Sequence, residues 1–198
     1  MNEKAEEIAM RKRISACLLV CMVFFLTACS ASVPDTSTIA SDKKGKITCT
    51  IVEDFEKDFY DSEELKGEIE AELAEYNQNF ASDHIRMKKF RVKDGRAVLQ
   101  LAFDGYEYYA DYSGRTFFVG TVEDALKEGY SLEGIFYDGD GKDLFDAAAW
   151  AQYHVMILDE AVNAEVPGEI LYASESVSIE GKKLATVKEE TTAYIIYQ

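Results

Sequence analysis

The spacing of hydrophobic residues predicts one long helix in the first half of the chain. Five apolar side chains recur at intervals of four, four, three and four: Leu65, Ile69, Leu73, Tyr76 and Phe80. These intervals place them on one face of an α-helix. Asp61 or Ser62 precedes the stripe as a helix cap, and Glu64 follows Asp61 at capping-box spacing. We predict an amphipathic helix that packs on the core and exposes a glutamate-rich face.

Two alternating runs on either side of Asp94-Gly95 predict an antiparallel hairpin over residues 84–103. Both central residues of a type I′ turn need a positive φ, which Asp and Gly tolerate. This segment also concentrates basic side chains: Arg86, Lys88, Lys89, Arg91, Lys93 and Arg96. We expect them to pair with the glutamate-rich helix or to solvate an outer sheet face. The alternative is a binding patch for an anionic partner, such as an acidic cell-wall polymer.

A tyrosine cluster follows the hairpin. Tyr106, Tyr108, Tyr109 and Tyr112 fall within residues 104–113, and Gly114 is placed to end a short helix there. Exposed rings of this kind stack on sugars or anchor a protein, so we take these four as candidate partner-binding residues. The alternative is that the rings belong to the core and only their hydroxyl groups reach water.

The remaining pattern predicts short elements. We expect strands over residues 47–52, 115–120 and 153–158, a short helix from Thr121 to Gly129, and a helix over residues 144–152. Four strand candidates follow within residues 169–172, 176–179, 183–187 and 192–197, and they predict a C-terminal β-meander. Together these elements predict a single α+β domain over residues 46–198, with an antiparallel, hairpin-rich sheet, one long helix and short helices.

The first 45 residues predict export. Arg11-Lys12-Arg13 precedes an apolar run over residues 14–26, which is too short to span a bilayer and is typical of a secretory signal peptide. Leu26-Thr27-Ala28-Cys29 resembles the lipobox of bacterial lipoproteins cleaved by signal peptidase II. The resemblance implies a signal peptide over residues 1–28 and a diacylglycerol group on Cys29, which anchors an extracytoplasmic protein to the cell membrane. Residues 29–45 are small and polar and predict a flexible tether.

The first nine residues fit a signal peptide poorly, because they contain Glu3, Glu6 and Glu7 where basic side chains are expected. A start at Met10 would place Met-Arg-Lys-Arg directly before the apolar run. We therefore expect translation to begin at Met10.

The net charge narrows the range of partners. The 198 residues include 37 acidic and 21 basic side chains, a formal charge of −16. Residues 1–28 hold four basic and three acidic side chains, so the remainder sums to −17. Such a surface does not bind nucleic acid by neutralising phosphates. It does not bind an anionic membrane by charge either, and lipid on Cys29 would supply the membrane contact.

No familiar catalytic or cofactor motif occurs in the sequence. It contains no nucleophile elbow, zinc-protease motif, phosphate loop or dinucleotide fingerprint. His84 and His154 are 70 residues apart, and we expect both to be structural. Cys49 is the one cysteine after Cys29, so we expect a small buried hydrophobe and no disulfide. We predict a protein that is not an enzyme and holds no cofactor.

Three aspartates suggest a weak calcium site. Residues 138–143 read Asp-Gly-Asp-Gly-Lys-Asp and resemble the opening of an EF-hand loop. Asp143 stands where that loop requires glycine, and Ala149 replaces its bidentate glutamate, so the motif fails as an EF-hand. Asp138, Asp140 and Asp143 stay weak candidates for an irregular site, and an ordinary turn that caps the next helix is the alternative.

Three stretches carry a further resemblance: residues 51–55, residues 118–122, and Val166-Pro167-Gly168 with Ile170 and Tyr172. They are similar to a group of uncharacterised small envelope lipoproteins of gut anaerobic Gram-positive bacteria. The resemblance covers most of residues 46–198. It implies a surface location and an α+β domain, and it implies no activity.

These observations favour a lipid-anchored extracytoplasmic protein that binds a protein or glycan partner at the cell envelope. The predicted tether and the missing catalytic motifs support this expectation. Two alternatives stay open: a calcium-responsive adhesion or sensing module, and a hydrolase whose two carboxylates come from distant segments.

Replacement of the lipidation cysteine tests the predicted anchor. Cys29→Ser removes the thiol that would carry lipid, so cells fed an alkyne-tagged fatty acid should no longer label the protein. Cys49→Ser is the matched control and should label as the wild type does. Equal labelling of the two variants would contradict lipid attachment at Cys29.

Overall fold

The computed structural model describes residues 36–56, 61–132, 136–138, 140 and 150–198. Twelve strands and three helices lie within these residues. The first half contains β1 (Thr38–Ser41), β2 (Ile47–Asp54), α1 (Ser62–Asn77), β3 (Ile85–Lys93), β4 (Arg96–Phe103) and α2 (Tyr106–Ser113). The second half contains β5 (Phe117–Thr121), α3 (Val122–Lys127), β6 (Phe136–Tyr137), β7 (His154–Leu158), β8 (Asn163–Glu165), β9 (Ile170–Ser174), β10 (Val177–Ile179), β11 (Leu184–Val187) and β12 (Ala193–Tyr197).

The described strands form two sheets. The seven-stranded sheet has the order β10-β11-β8-β1-β2-β4-β3, and the five-stranded sheet has the order β5-β7-β12-β9-β6. Paired strands run antiparallel except β1 and β8, which are parallel. Antiparallel-rich sheets with separate helices make an α+β fold, which confirms the predicted class.

Side-chain alternation divides the core into two parts. The seven-stranded sheet packs its inner face on the five-stranded sheet, and Ile39, Leu101 and Met156 belong to this cluster. The other side of the five-stranded sheet packs on α3. Ile157 from the sheet and Val122 from the helix belong to this second cluster. Because successive side chains point to opposite faces of a strand, the five-stranded sheet is buried on both sides. The seven-stranded sheet keeps a second side, which we call the outer face.

Helix α1 covers the β3 end of the inner face. Asp61 caps the helix as predicted, since its Oδ1 accepts hydrogen bonds from two backbone N–H groups of the first turn, at 2.8 and 3.2 Å. Asn77, the last helical residue, is buried. Its side chain accepts hydrogen bonds from the N–H groups of His84 and Ile85 and donates one to the Ile85 carbonyl. These bonds confirm the long helix and hold its end against the start of β3.

The β3–β4 hairpin has the predicted turn. Asp94 and Gly95 have φ values of 52° and 73°, so both central residues occupy the positive-φ region that a type I′ turn requires. The turn therefore places the two strands directly beside each other, as the sequence predicts.

One bulge controls which side chains of β3 face outward. The pairing with β4 shifts between Met87 and Lys89, so Lys88 is the extra residue. In a strand without the bulge, side chains would alternate strictly, so Lys88 would face outward and Lys89 inward. Phe90 would then face outward and Arg91 inward, the reverse of what the core requires. The bulge absorbs the extra lysine and returns Phe90 to the inner face.

Two short helices also confirm their predictions. Helix α2 ends at Gly114, whose φ is 66°. Helix α3 begins after Thr121, whose hydroxyl oxygen accepts a hydrogen bond from the Asp124 N–H (3.1 Å). The helix expected over residues 144–152 falls mostly outside the described residues, and residues 150–152 form a turn.

The predicted tether is wrong in its second half. Strand β1 lies within it and occupies the middle of the seven-stranded sheet, between β2 and β8. Ile39 is fully buried there. The strand has four residues, of which Thr38 and Ala40 face outward. Two inward positions are too few for a recognisable apolar pattern, so the segment reads as a polar linker.

The C-terminal strands are confirmed, but they do not form the predicted meander. Strands β9 and β12 pair in the five-stranded sheet, whereas β10 and β11 belong to the seven-stranded sheet. The two-residue period identifies an extended segment, but it does not identify the strand that pairs with it.

Truncation of Ile39 tests the central position of β1. Ile39→Ala leaves a cavity between the two sheets and should lower the free energy of unfolding by about 2–5 kcal/mol in chemical denaturation. Thr38→Ala, one residue earlier on the outer face, should cost less than about 1 kcal/mol. Similar small losses for both variants would mean that residues 38–41 are a tether after all.

Candidate functional site

Helix α2 carries the four tyrosines predicted to bind a partner, and carboxylates hold two of the half-buried ones. Tyr106 OH donates to Glu128 Oε1 (3.1 Å), and Tyr112 OH donates to Glu72 Oε1 (2.8 Å). Burial and the Glu128 carboxylate raise the pKa of Tyr106 to about 12. Burial and Glu72 raise the pKa of Tyr112 as well. The two hydrogen bonds tie α2 to the end of α3 and to α1.

Tyr109 points into the core. It is buried between Phe103 and Phe117, and its hydroxyl donates to Glu160 Oε1 (2.5 Å). Cys49 lies beside this pair, and burial raises the pKa of its thiol to about 12. The thiol is therefore protonated at neutral pH, and a nucleophilic thiolate is not available. This confirms Cys49 as a small buried side chain.

Tyr108 stacks on His84. Their ring centroids are 4.0 Å apart, with planes inclined by 6°. Phe80 meets both rings edge-on, at 5.5 Å from Tyr108 and 5.2 Å from His84. This stack joins the segment after α1 to the start of β3 and to α2, so His84 has a packing role.

Asp104 is the charged centre of the same junction. Its Oδ1 accepts hydrogen bonds from Arg86 and from Lys46 Nζ, the latter at 3.0 Å, and its Oδ2 lies 3.6 Å from His84 Nδ1. The hydrogen bonds from Arg86 and Lys46 lower the pKa of Asp104 to about 2. The carboxylate therefore links the starts of β2 and β3 to the base of α2.

The tyrosine cluster thus serves mainly to pack α2 against its neighbours. Tyr106, Tyr108 and Tyr112 are half-buried and keep part of their surface in solvent. Their binding of a partner stays a prediction.

A row of polar side chains crosses the outer face of the seven-stranded sheet. Strand register places one residue from each strand in line, in the order Ser178, Thr186, Asn163, Thr38, Thr50, Gln100 and Lys89. Gln100 Nε2 donates to Thr50 Oγ1 (3.2 Å), and Thr186 Oγ1 donates to Asn163 Oδ1 (2.9 Å). Neighbouring strands lie about 4.8 Å apart, so this polar row is about 29 Å long.

Cations without acidic partners lie at the β3 end of the polar row. Lys88, Lys89 and Arg91 form no ion pair with any described residue. Arg86 pairs with Asp104, and Lys93 lies 3.6 Å from its neighbour Asp94. We call Lys88, Lys89 and Arg91 the cationic triplet. The prediction that these cations pair with the glutamate-rich helix is wrong, because α1 packs on the inner face. The prediction that they solvate an outer face is confirmed.

The structure adds little support for the remaining candidate residues, which are the three aspartates of residues 138–143 and Cys29. Asp138 Oδ1 accepts a hydrogen bond from the Asp140 N–H (2.9 Å), as in an ordinary turn, while Asp143 and Cys29 lie outside the described residues. Within the described part of the chain, no three His, Cys, Asp or Glu side chains are grouped to hold a metal ion. Calcium binding stays a prediction.

A pocket of about 380 Å³ opens where the two sheets separate at one end. The turn between β1 and β2 forms one wall, and the ends of β5 and β12 form the opposite wall with the start of β7. The residues that line it include Lys43, Val119, His154, Pro167 and Tyr197. Asp42 also lines this space, with Oδ1 held by the N–H groups of Lys44 and Lys46.

Neither the polar row nor the pocket can be read from the sequence. Both depend on strands that are distant in the chain, such as β1 and β8, whose residues become neighbours only through pairing. The alternation of Thr48 and Thr50 with buried residues of β2 is the one local signal of an outer polar face.

No family model, curated protein or solved structure matches the chain. None of the described helices is both long enough and apolar enough to span a membrane.

Acid titration of the unfolding free energy tests the role of Asp104. Its pKa is about 2 in the folded protein against 3.8 ordinarily, so the stabilisation is complete above pH 4 and is lost as pH falls towards 2. Asp104→Asn should therefore destabilise the protein at pH 6, and its difference from the wild type should shrink between pH 4 and 2. Asp94→Asn, at the exposed turn, should show no such pH-dependent difference. A difference for Asp104→Asn that is constant with pH would contradict this role.

Proposed function

We propose that this chain is a lipid-anchored, extracytoplasmic protein that binds an anionic glycan of the cell envelope and catalyses no reaction. The glycan lies across the outer face, with its acidic groups at the cationic triplet. The observation that carries this proposal is the absence of an acidic partner for Lys88, Lys89 and Arg91 among the described residues of a protein with 37 acidic side chains.

The shape of the outer face favours an extended polymer over a small anion. The polar row offers hydroxyl and amide groups along about 29 Å, a length that spans several sugar units. None of the described helices packs on the outer face. Leu73 of α1 and Tyr109 of α2 belong to the inner cluster, and Val122 of α3 belongs to the cluster on the far side of the five-stranded sheet. Six of the seven side chains in the row are partly exposed, and Thr50 is buried. Sugar hydroxyl groups exchange hydrogen bonds with such donors and acceptors.

The glutamates of α1 do not neutralise the cationic triplet. Helix α1 carries many glutamates, but it lies on the other side of the sheet, about 10 Å from it. The Debye length at physiological ionic strength is about 8 Å, so the glutamate field is largely screened at the outer face. A polyanion close to the cationic triplet therefore experiences a locally positive surface on a negatively charged protein.

The edge of β3 is poorly suited to strand addition. Lys88 forms a bulge, and lysines along an edge strand oppose pairing with another strand. Recognition by the side chains of the outer face is therefore favoured over recognition by the backbone. The predicted lipid at Cys29 would place this surface at the envelope, where anionic polymers are present.

Charge reversal on β3 tests the proposal. The mature lipoprotein in detergent should bind polygalacturonate more tightly than neutral dextran in 0.15 M salt, and binding should weaken in 0.5 M salt. Lys89→Glu with Arg91→Glu should weaken binding about tenfold or more, because two attractions of about 0.2–1 kcal/mol each become repulsions.

The matched control makes the same change of charge at two lysines that lie away from the outer face. Lys44→Glu with Lys127→Glu alters a turn and helix α3, both away from the outer face, and should retain binding within about twofold. Equal losses in the two double variants would contradict a specific surface on β3. Equal binding of polygalacturonate and dextran by the wild type would contradict an anionic ligand.

A further inference from the structure

The pocket at the end of the two sheets is built from rigid parts. In the β1–β2 turn, the Asp42 N–H donates to the Lys46 carbonyl (3.0 Å) and Asp42 Oδ1 accepts from the N–H groups of Lys44 (2.7 Å) and Lys46 (3.0 Å). Gly45 has a φ of 78°, which completes this turn. The backbone of the turn is therefore fixed, and Lys43 extends from a defined position.

The opposite wall is equally constrained. Gly168 approaches the last strand so closely that a Cβ there would lie 2.0 Å from the Gln198 carbonyl oxygen. Glu169 and Gln198 exchange two backbone hydrogen bonds, of 2.8 and 3.1 Å. Lys183 Nζ donates to the Pro167 carbonyl (2.9 Å). The pocket is thus formed before any ligand arrives, as is usual for small-molecule sites.

One buried hydroxyl group at the inner end of the pocket has no hydrogen-bond partner among the described residues. Tyr197 lines the pocket and is buried. Ser41 Oγ is buried and has no hydrogen-bond partner by geometry among the described residues. It lies near the Tyr197 side chain, since burial raises the pKa of Tyr197 and Ser41 partly lowers it. An unused buried hydroxyl costs free energy, which a polar ligand group would recover. His154 stacks on Tyr197 at 5.5 Å and stands at the exposed end.

We propose that this pocket binds a small molecule that carries a carboxylate together with a hydroxyl or ammonium group. A carboxylate needs hydrogen-bond donors, and three lining residues supply them: Lys43, His154 and Tyr197. The charge of Lys43 is also available, because Lys43 has no acidic partner among the described residues. Asp42 lines the same space and accepts a hydrogen bond from the second group. Val119 and Pro167 contact the apolar part of the ligand. The volume of about 380 Å³ fits a monosaccharide or an amino acid.

This site is separate from the outer face. Val119, His154 and Tyr197 belong to the five-stranded sheet, and the polar row belongs to the opposite side of the seven-stranded sheet. A uronic acid and an amino acid share the required chemistry, and they differ in whether a hydroxyl or an ammonium group meets Asp42.

Calorimetric titration of the mature lipoprotein in detergent with galacturonate, leucine and galactose tests the proposal. Galacturonate or leucine should bind with a dissociation constant below about 1 mM, and the one that binds identifies the second group. Galactose, which lacks the carboxylate, should bind at least tenfold more weakly. Lys43→Gln should weaken binding about tenfold, and Tyr197→Phe, which removes only the hydroxyl, should weaken it severalfold.

Lys44→Gln is the matched control, because Lys44 is the next residue in the same turn and is not part of the pocket wall. It should bind as the wild type does. The proposal is overturned if neither acid binds at 10 mM, if galactose binds as tightly as galacturonate, or if Lys43→Gln and Lys44→Gln behave alike. Lys89→Glu with Arg91→Glu should leave this binding unchanged, so failure here is distinguishable from failure of polymer binding.

Discussion

The face that each side chain of β3 occupies determines where the basic residues of this strand lie relative to the core. Successive residues of a strand point to opposite sides, so the strand can send its apolar residues to the core and its cations outward only if the alternation is kept. The consecutive lysines 88 and 89 break that alternation, and the bulge at Lys88 restores it. Met87 and Phe90 therefore both lie on the inner face, which α1 covers, while Lys89 and Arg91 lie on the outer face. Without the bulge, cations would be buried against the helix, at a cost of several kcal/mol.

The same alternation separates the two proposed binding regions. Strand β1 turns Ile39 and Ser41 towards the five-stranded sheet and Thr38 outward, so one strand contributes to both the pocket region and the polar row. Asn77 holds the end of α1 on the inner side through three hydrogen bonds to the start of β3. The glutamates of α1 are then kept away from the cationic triplet. A protein with a formal charge of −16 can in this way present a locally positive surface.

Local signals in the sequence were sufficient for the three described helices and the hairpin. The stripe from Leu65 to Phe80, the cap at Asp61 and the Asp94-Gly95 turn each act over a few residues, and the structure contains all three. Strand β1 was missed because a four-residue strand with two inward positions has no clear period. The meander and the pairing of basic residues with α1 were wrong for a related reason, since partners in a sheet are chosen by the packing of the whole domain. The polar row and the pocket join residues more than 100 positions apart, such as Thr38 and Asn163, and no local pattern predicts that contact.

Lysine footprinting tests most directly whether the outer face is the glycan-binding surface. The protein would be acetylated briefly with and without polygalacturonate, and the modified lysines would be quantified by mass spectrometry. We predict that the polymer protects Lys88 and Lys89 strongly and leaves Lys66 on α1 and Lys127 on α3 unchanged. Protection of Lys66 or Lys127 to the same extent as Lys89, or no protection of Lys88 and Lys89 under binding conditions, would contradict the account.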